Sequence, residues 1–414
     1  VVVSAHGQGA RTRRERFIVI GFLTGTTTST GLLRRLAGTR HLARNSMDIR
    51  RGRSIEVDFF RGVVLIVIVL DHIPGSTLSH LMLHAYALCD SAEVFVFLGG
   101  YASAAAYTAV LAGRGESAAA MRFVRRCWEI YRAYLLTAVL TLLSGAVLAL
   151  LHLNQPMIDL TGWQPFAVQP LHAAFDIAVL RRQPYLSSVL PMYVIFALCV
   201  PLAVPLARRS PLAALGLSLA VWSLARPLAA LLSIDDVADW AFNPFAWQLM
   251  FVLGILCRVQ PVSERFHATR AARWLTRAAV VAVLAFAIVK LFILTQPLPG
   301  VLKQNLSVDR VINFVVIAWL AAQFVRAGSI AWLAQRLPAV VTVGRTGLVC
   351  FVSGTLVSLI VDTATPHTFH GFRGTLIGLG GDLVAIGAVL MIARGWNDWK
   401  GQQSRTAARR ARYG

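Results

Sequence analysis

Between Ile55 and Pro74 the chain reads IEVDFFRGVVLIVIVLDHIP, an almost unbroken hydrocarbon run that still carries Glu56, Asp58 and Arg61 at its start and Asp71–His72 at its end. A charged side chain at the centre of a membrane helix costs about 2.5–3.5 kcal/mol on insertion scales, so ionisable groups in such a run mark a functional site by default. Helical geometry sorts them. At about 100° per residue, Arg61 and His72 fall within roughly 20° of one face and are separated by about 16 Å along the axis. Asp58 joins this stripe about 40° from His72, whereas Asp71, adjacent to His72, points about 100° away. The pattern puts a guanidinium, suited to anions, toward one membrane surface and an imidazole, suited to proton transfer near neutral pH, toward the other. The plainer alternative is a helix whose polar groups only hydrogen-bond to their neighbours.

A second helix must supply whatever orients the imidazole. The run CDSAEVFVFLGGYASAAAY places Glu93 at the depth expected for His72, with Gly99, Gly100, Ala102, Ser103 and Ala104 following. Small residues there let the first helix approach closely. A carboxylate there orients the ring and stabilises its cation, as the third member of a nucleophile–base arrangement does; the alternative is a Glu satisfied by backbone or water. Polar residues also occur in other runs, among them Glu129, Arg132, Lys290, Asp309, Arg310, Asn313 and Arg345. Arg132 is expected to snorkel to the interface, and Asn243 and Gln248 to bind between helices. Gly378, Gly380 and Gly381 before Asp382 read as a packing face, because no strand precedes them as a phosphate loop requires. No serine stands in a nucleophile elbow and no histidine pair has zinc spacing, so no metal is expected. Cys89, Cys127, Cys199, Cys257 and Cys350 show neither ligand spacing nor a disulfide framework and read as small buried hydrophobes.

Composition says what holds these groups. Hydrophobic residues make up 57% of the chain and charged residues 14%, against about 25% charged in soluble domains. The 40 basic and 19 acidic side chains give a net charge of +21. In a soluble protein that would suggest nucleic acid. Here the basic residues lie between apolar runs, as the positive-inside rule requires. The pattern predicts an all-α integral membrane protein, a polytopic bundle of about ten transmembrane helices at 55–73, 88–112, 128–153, 186–206, 211–232, 242–257, 274–294, 309–326, 342–361 and 374–393. The sixth is short and the fifth carries Arg226–Pro227. Arginines crowd alternate intervals, Arg114 to Arg126, Arg208–Arg209, Arg258 to Arg273, and Arg326 with Arg336, and continue in the tail from Arg394. Residues 74–87 hold no Lys or Arg, and 233–241 hold only the acidic Asp235, Asp236 and Asp239. Both termini should therefore face the cytoplasm, with His72 toward the outer surface.

The longest outer interval, 154–184, contains Trp163, Gln164, Phe166, His172 and Phe175, which suit stacking on sugar rings and an interfacial aromatic belt equally. Residues 1–46 read as a poorly structured basic leader whose apolar run, Phe17–Leu23, is too short to span. Met47, ahead of Arg50, Arg51 and Arg53, is the expected natural start. The division is then a leader at 1–46, a ten-helix membrane domain at 47–393 and a basic cytoplasmic tail at 394–414.

The segment DFFRGVVLIVIVLDHIPG is followed in order by SAEVFVFLGGY, RRCWEIYRAYL, LPMYVIF, FNPFAWQLMFVLG and VGRTGLVCF. This series resembles the OpgC-type membrane acyltransferases, related to the acyltransferase-3 superfamily, in which an Arg, ten intervening residues and a His lie on the first helix. Arg61 and His72 fit that spacing, and the likeness runs from about Ser54 to Ala393. Tyr134 stands where a His is expected, and Thr346–Gly347 replaces an Asn-Ser; both touch substrate detail before chemistry. The resemblance implies transfer of an acyl group, succinyl in relatives that modify osmoregulated periplasmic glucans, from cytoplasmic acyl-CoA to a glycan hydroxyl. The enzyme would be a multi-pass protein of the bacterial inner membrane with no permanently bound cofactor. Its partners would be the acyl-CoA donor, the glucan acceptor and the bilayer, not nucleic acid. On that reading Arg61 and Asp58, with Arg122, Arg125 and Arg126, serve the donor phosphates. His72, supported by Glu93 or Asp71, acts as general base or through an acyl-imidazole. The rival from another class is a multi-pass transporter or flippase, whose ionisable groups would sit near the midplane in broken helices of matching halves. Here they cluster in the first two spans. A non-catalytic scaffold would leave the site incidental.

Overall fold

Ser54 opens the first helix: its hydroxyl accepts the Val57 amide at 3.4 Å. Helix α1, Ile55–Asp71, then runs until His72 caps it at φ −99° and ψ 11°. This computed structural model describes residues 54–184, 187–234, 236, 240–294, 299–365 and 371–413, with side chains omitted at 404 and 407–413. The leader, Met47, the Arg50–Arg53 cluster, Asp235 and Asp239 lie outside the described residues. Asp90 caps α2, Ser91–Arg114, in a capping box with Glu93. Gly115, at φ +83°, ends α2 and at once begins α3, Glu116–Leu150. The left-handed backbone of this one-residue reversal suits glycine.

Three short helices, Gln155–Thr161, Trp163–Val168 and Pro170–Ala178, fold the interval read as a long loop. Next come α4, Val189–Arg209, and α5, Pro211–Ser223, which continues as Ala225–Leu231 after a 60° bend. They are followed by α6, Pro244–Val259, then α7, Arg270–Ile288 with a π-helical end at Val289–Ile293, and α8, Val308–Arg326. Helices Ser329–Arg336 and Pro338–Arg345 precede α9, Gly347–Ala364, and α10, Gly371–Tyr413.

No strand occurs among the described residues. Seven of these helices are long and apolar enough to cross a bilayer, or eight if the bent pair counts as one span. The expected ten is not reached, for physical reasons. α1 has 17 residues and α6 has 16, about 26 and 24 Å at 1.5 Å per residue, at and just below the lower limit of the roughly 17–25 residues that spanning helices use. The ninth expected span begins later than read, because Thr346 leaves helical geometry between Pro338–Arg345 and α9, although α9 still counts among the seven. The tenth does not stop before the tail: α10 continues through Arg394 and Lys400, residue types that favour helix as readily as Leu does.

α1 packs against α2, α9, α10 and Pro338–Arg345. Two crossings bring backbones together. A Cβ at Gly62 would lie 2.0 Å from the Val340 carbonyl oxygen, and one at Gly344 1.8 Å from that of Asp58. Between α2 and α6 the pattern repeats, with Gly100 against Phe251 O at 1.9 Å and Gly254 against Phe97 O at 2.0 Å. Such contacts are the small-residue packing expected where apolar lipid gives helices no hydrophobic reason to associate. Polar bridges supplement them. Gln248 exchanges bonds with Ser218 (2.7 Å), and Asn243 donates to Ala225 O at 3.0 Å. Both were expected between helices.

Candidate functional site

The terminus of α1 fixes the imidazole. His72 Nδ1 lies 2.5 Å from the Ile68 carbonyl oxygen one turn back. A carbonyl only accepts, so Nδ1 carries the proton and Nε2 is the basic nitrogen of the neutral ring. His72 lines a cavity of about 210 Å³ together with Asp71, Ser91, Lys303 and Thr355, walled by Leu65, Phe95 and Phe351. Asp71 thus reaches the same cavity as His72. Adjacent positions about 100° apart can still border one space at a helix end, so the separation expected from helical spacing does not keep Asp71 out of the cavity. Asp71 Oδ2 accepts from Ser91 Oγ at 3.1 Å, and its other oxygen lies 3.3 Å from His84 Nδ1. Hydrogen bonding to Asp71 holds the His84 imidazole above its ordinary pKa, although burial works the other way.

Glu93 does not take the orienting role assigned to it, because the Nδ1 bond of His72 goes to Ile68 O. Its carboxylate, 0% exposed, accepts Arg310 Nε at 2.6 Å and the Asp90 amide at 2.9 Å. Asp90 in turn accepts from Arg310 Nη2 at 3.0 Å, Lys303 Nζ at 2.7 Å and the Ala92 amide at 2.8 Å. Two carboxylates and two cations therefore neutralise one another at the start of α2. Asn313, one turn along α8 from Arg310, accepts the Leu88 and Cys89 amides. Glu93 supports the site by fixing α2, whose first turn supplies Ser91 and Ala92 to the cavity.

The other end of α1 carries the anion-binding candidates. Asp58, 2% exposed, accepts from Arg345 Nε at 3.2 Å. Arg61 lies against Gly347, where a Cβ would come 3.2 Å from its Nη2. Arg122 and Arg125 are exposed on α3, and Arg126 pairs with Glu129 at 3.0 Å. Arg345, which the sequence reading noted without a role, is a cation brought to the same end of α1 through its bond to Asp58. If Arg61 holds a donor phosphate, Arg61→Lys keeps the charge and loses the bidentate fork. Steady-state kinetics should then show the donor KM rising more than kcat falls; an unchanged KM in Arg61→Ala would make Arg61 a structural anchor.

The two departures from the family pattern lie elsewhere. Tyr134 donates to Ile177 O (3.0 Å) and Arg182 O (2.9 Å), tying down the segment before α4. Thr346 donates back to Thr342 O at 2.8 Å. Trp163 and Phe166 stack on each other with centroids 5.9 Å apart. Sequence reasoning missed His84 and Lys303. A signal for Lys303 existed: it is a lone lysine in an interval that the charge alternation marks as poor in basic residues.

A family model described as OpgC protein matches residues 53–401. No curated protein and no solved structure matches the chain.

Proposed function

The chain belongs to the OpgC family, and from that premise we propose that it is a membrane acyltransferase moving an acyl group, succinyl, from cytoplasmic acyl-CoA to a hydroxyl of a periplasmic glucan. The observation that carries this reading is the contact of His72 Nδ1 with Ile68 O, which assigns the proton to Nδ1 and makes Nε2 the basic nitrogen of a ring that borders the cavity. Nε2 takes the proton of the acceptor hydroxyl as its oxygen bonds to the thioester carbonyl carbon. The carbon–sulfur bond then breaks, and the departing thiolate takes the proton from the imidazolium, leaving an ester and a free thiol.

Arg61 and Arg345 at the opposite end of α1 suit the donor's phosphates, about 16 Å along the helix from His72, a span for the extended pantetheine arm. Ten crossings remain the proposed topology, with α1 and α6 as short spans inside the bundle. The protein then sits in the inner membrane with both termini cytoplasmic. Reporter fusions after residue 80 should read periplasmic and after residue 118 cytoplasmic; a periplasmic signal at 118 would reverse the orientation and remove the cytoplasmic donor. The deciding experiment for function is mass spectrometry of periplasmic glucans from cells with and without the protein. Acyl mass increments that vanish with the gene support the reading. Glucans of unchanged acylation but altered abundance outside the membrane would favour a transporter.

A further inference from the structure

Lys303 comes to the cavity from outside the helices that form most of its wall. It sits on the short helix Gly300–Gln304 between α7 and α8, and three side chains pin that turn. Trp247 Nε1 donates to Lys303 O at 3.0 Å, Gln304 Nε2 donates to Trp240 O at 2.9 Å, and Trp222 Nε1 donates to Leu306 O at 2.9 Å. The lysine is thereby positioned rather than merely present. Its Nζ lies 2.7 Å from Asp90 Oδ2 and 5.7 Å from the Phe242 ring centroid, and Phe242 lines the same cavity. Burial works against the ammonium, but the Asp90 carboxylate more than offsets it and holds the pKa above the ordinary lysine value.

An ammonium has three donors and no acceptor. Asp90 engages one of them, and Asp90 already has Arg310 and the Ala92 amide as partners. Among the described residues Lys303 is the only Lys or Arg on the cavity wall. The one carboxylate there, Asp71, is engaged by Ser91 and His84. An anionic group entering this largely apolar space would be costly to desolvate unless a cation met it.

We propose that Lys303 determines donor specificity: its ammonium binds the terminal carboxylate of a dicarboxylic acyl group, so that the cavity selects succinyl over acetyl. The inference rests on the acyltransferase reading above. The carboxylate is a spectator in the transfer, so Lys303 binds and orients the acyl group without exchanging a proton.

The test is competition between succinyl-CoA and acetyl-CoA for glucan from cells lacking the protein, using the full chain in lipid nanodiscs. Lys303→Met should lower the ratio of succinyl to acetyl transfer about 5-fold, the scale of a charge pair whose lysine side chain is 41% exposed. Lys303→Arg should restore most of the preference. Because Lys303→Met also deprives Asp90 of a partner, Lys303→Met/Asp90→Asn separates the roles. Carboxylate recognition leaves the ratio lost in the double variant, whereas a structural role restores it. Equal losses with both donors, or a ratio restored in the double variant, overturn the proposal while wild-type succinyl transfer keeps the enzyme reading intact. Wild-type protein that transfers neither donor would bring down the enzyme reading, and this inference with it.

Discussion

His72→Gln is expected to abolish most acyl transfer, by about 10²- to 10⁴-fold, while the protein still inserts and folds. The reason is geometric. The imidazole does two separable things: Nδ1–H satisfies the Ile68 carbonyl, and Nε2 offers a lone pair. An amide can replace the first and not the second. His72→Asn sharpens the comparison, since its amide nitrogen falls near the position of Nδ1 and keeps the bond to Ile68 O. Single-turnover rates with acyl-CoA and glucan, measured on variants that match wild type in size-exclusion profile and melting temperature, provide the check. Near wild-type rates in either variant would end the case for His72 as general base.

The second large effect is on stability. Arg310→Met removes the one side chain that bonds both Glu93 and Asp90. Lys303 still reaches Asp90, but Glu93 keeps only the Asp90 amide among its described partners. Breaking a buried ion pair by deleting one partner costs about 3–5 kcal/mol, because an uncompensated charge stays behind. Thermal unfolding in detergent should therefore show a marked fall. Glu93→Gln/Arg310→Met should recover part of it, since neither member is then orphaned. A melting temperature unchanged in Arg310→Met would mean that the start of α2 is held by its capping box, Asn313 and the Lys303–Asp90 pair without Arg310.

What sequence could and could not show divides along contact distance. The bridging roles of Asn243 and Gln248 depend on local pattern and match the structure, whereas the small residues of α2, expected to receive α1, meet other helices, Gly100 against Phe251 of α6 and Gly99 against Tyr193 of α4. The partner of Glu93 lies 217 positions away, and the ammonium at the cavity arrives on a loop whose path only tertiary packing sets. Helical arithmetic placed Asp71 off the His72 face, yet both line one cavity, because direction around a helix does not by itself keep adjacent residues out of a shared space. Apolar length likewise marked ten runs and showed the sixth to be short, without revealing that α1 is short as well. A helix packed inside a bundle satisfies its own backbone and gains little from extra turns in contact with lipid.

The paired glycine crossings carry a consequence for how this chain tolerates change. At Gly62 with Gly344, and at Gly100 with Gly254, the nearest atoms to a new Cβ are main-chain carbonyls of the facing element. No rotamer can make room for it. In a saturation-mutagenesis library these four codons should stand out as intolerant even of alanine, whereas Gly113 and Gly387, which face open space, should accept many residues. The same rigidity decides where engineering can act. Attempts to widen the cavity will be better tolerated on α9 than on α1 or α2, which are each clamped to a neighbour backbone to backbone.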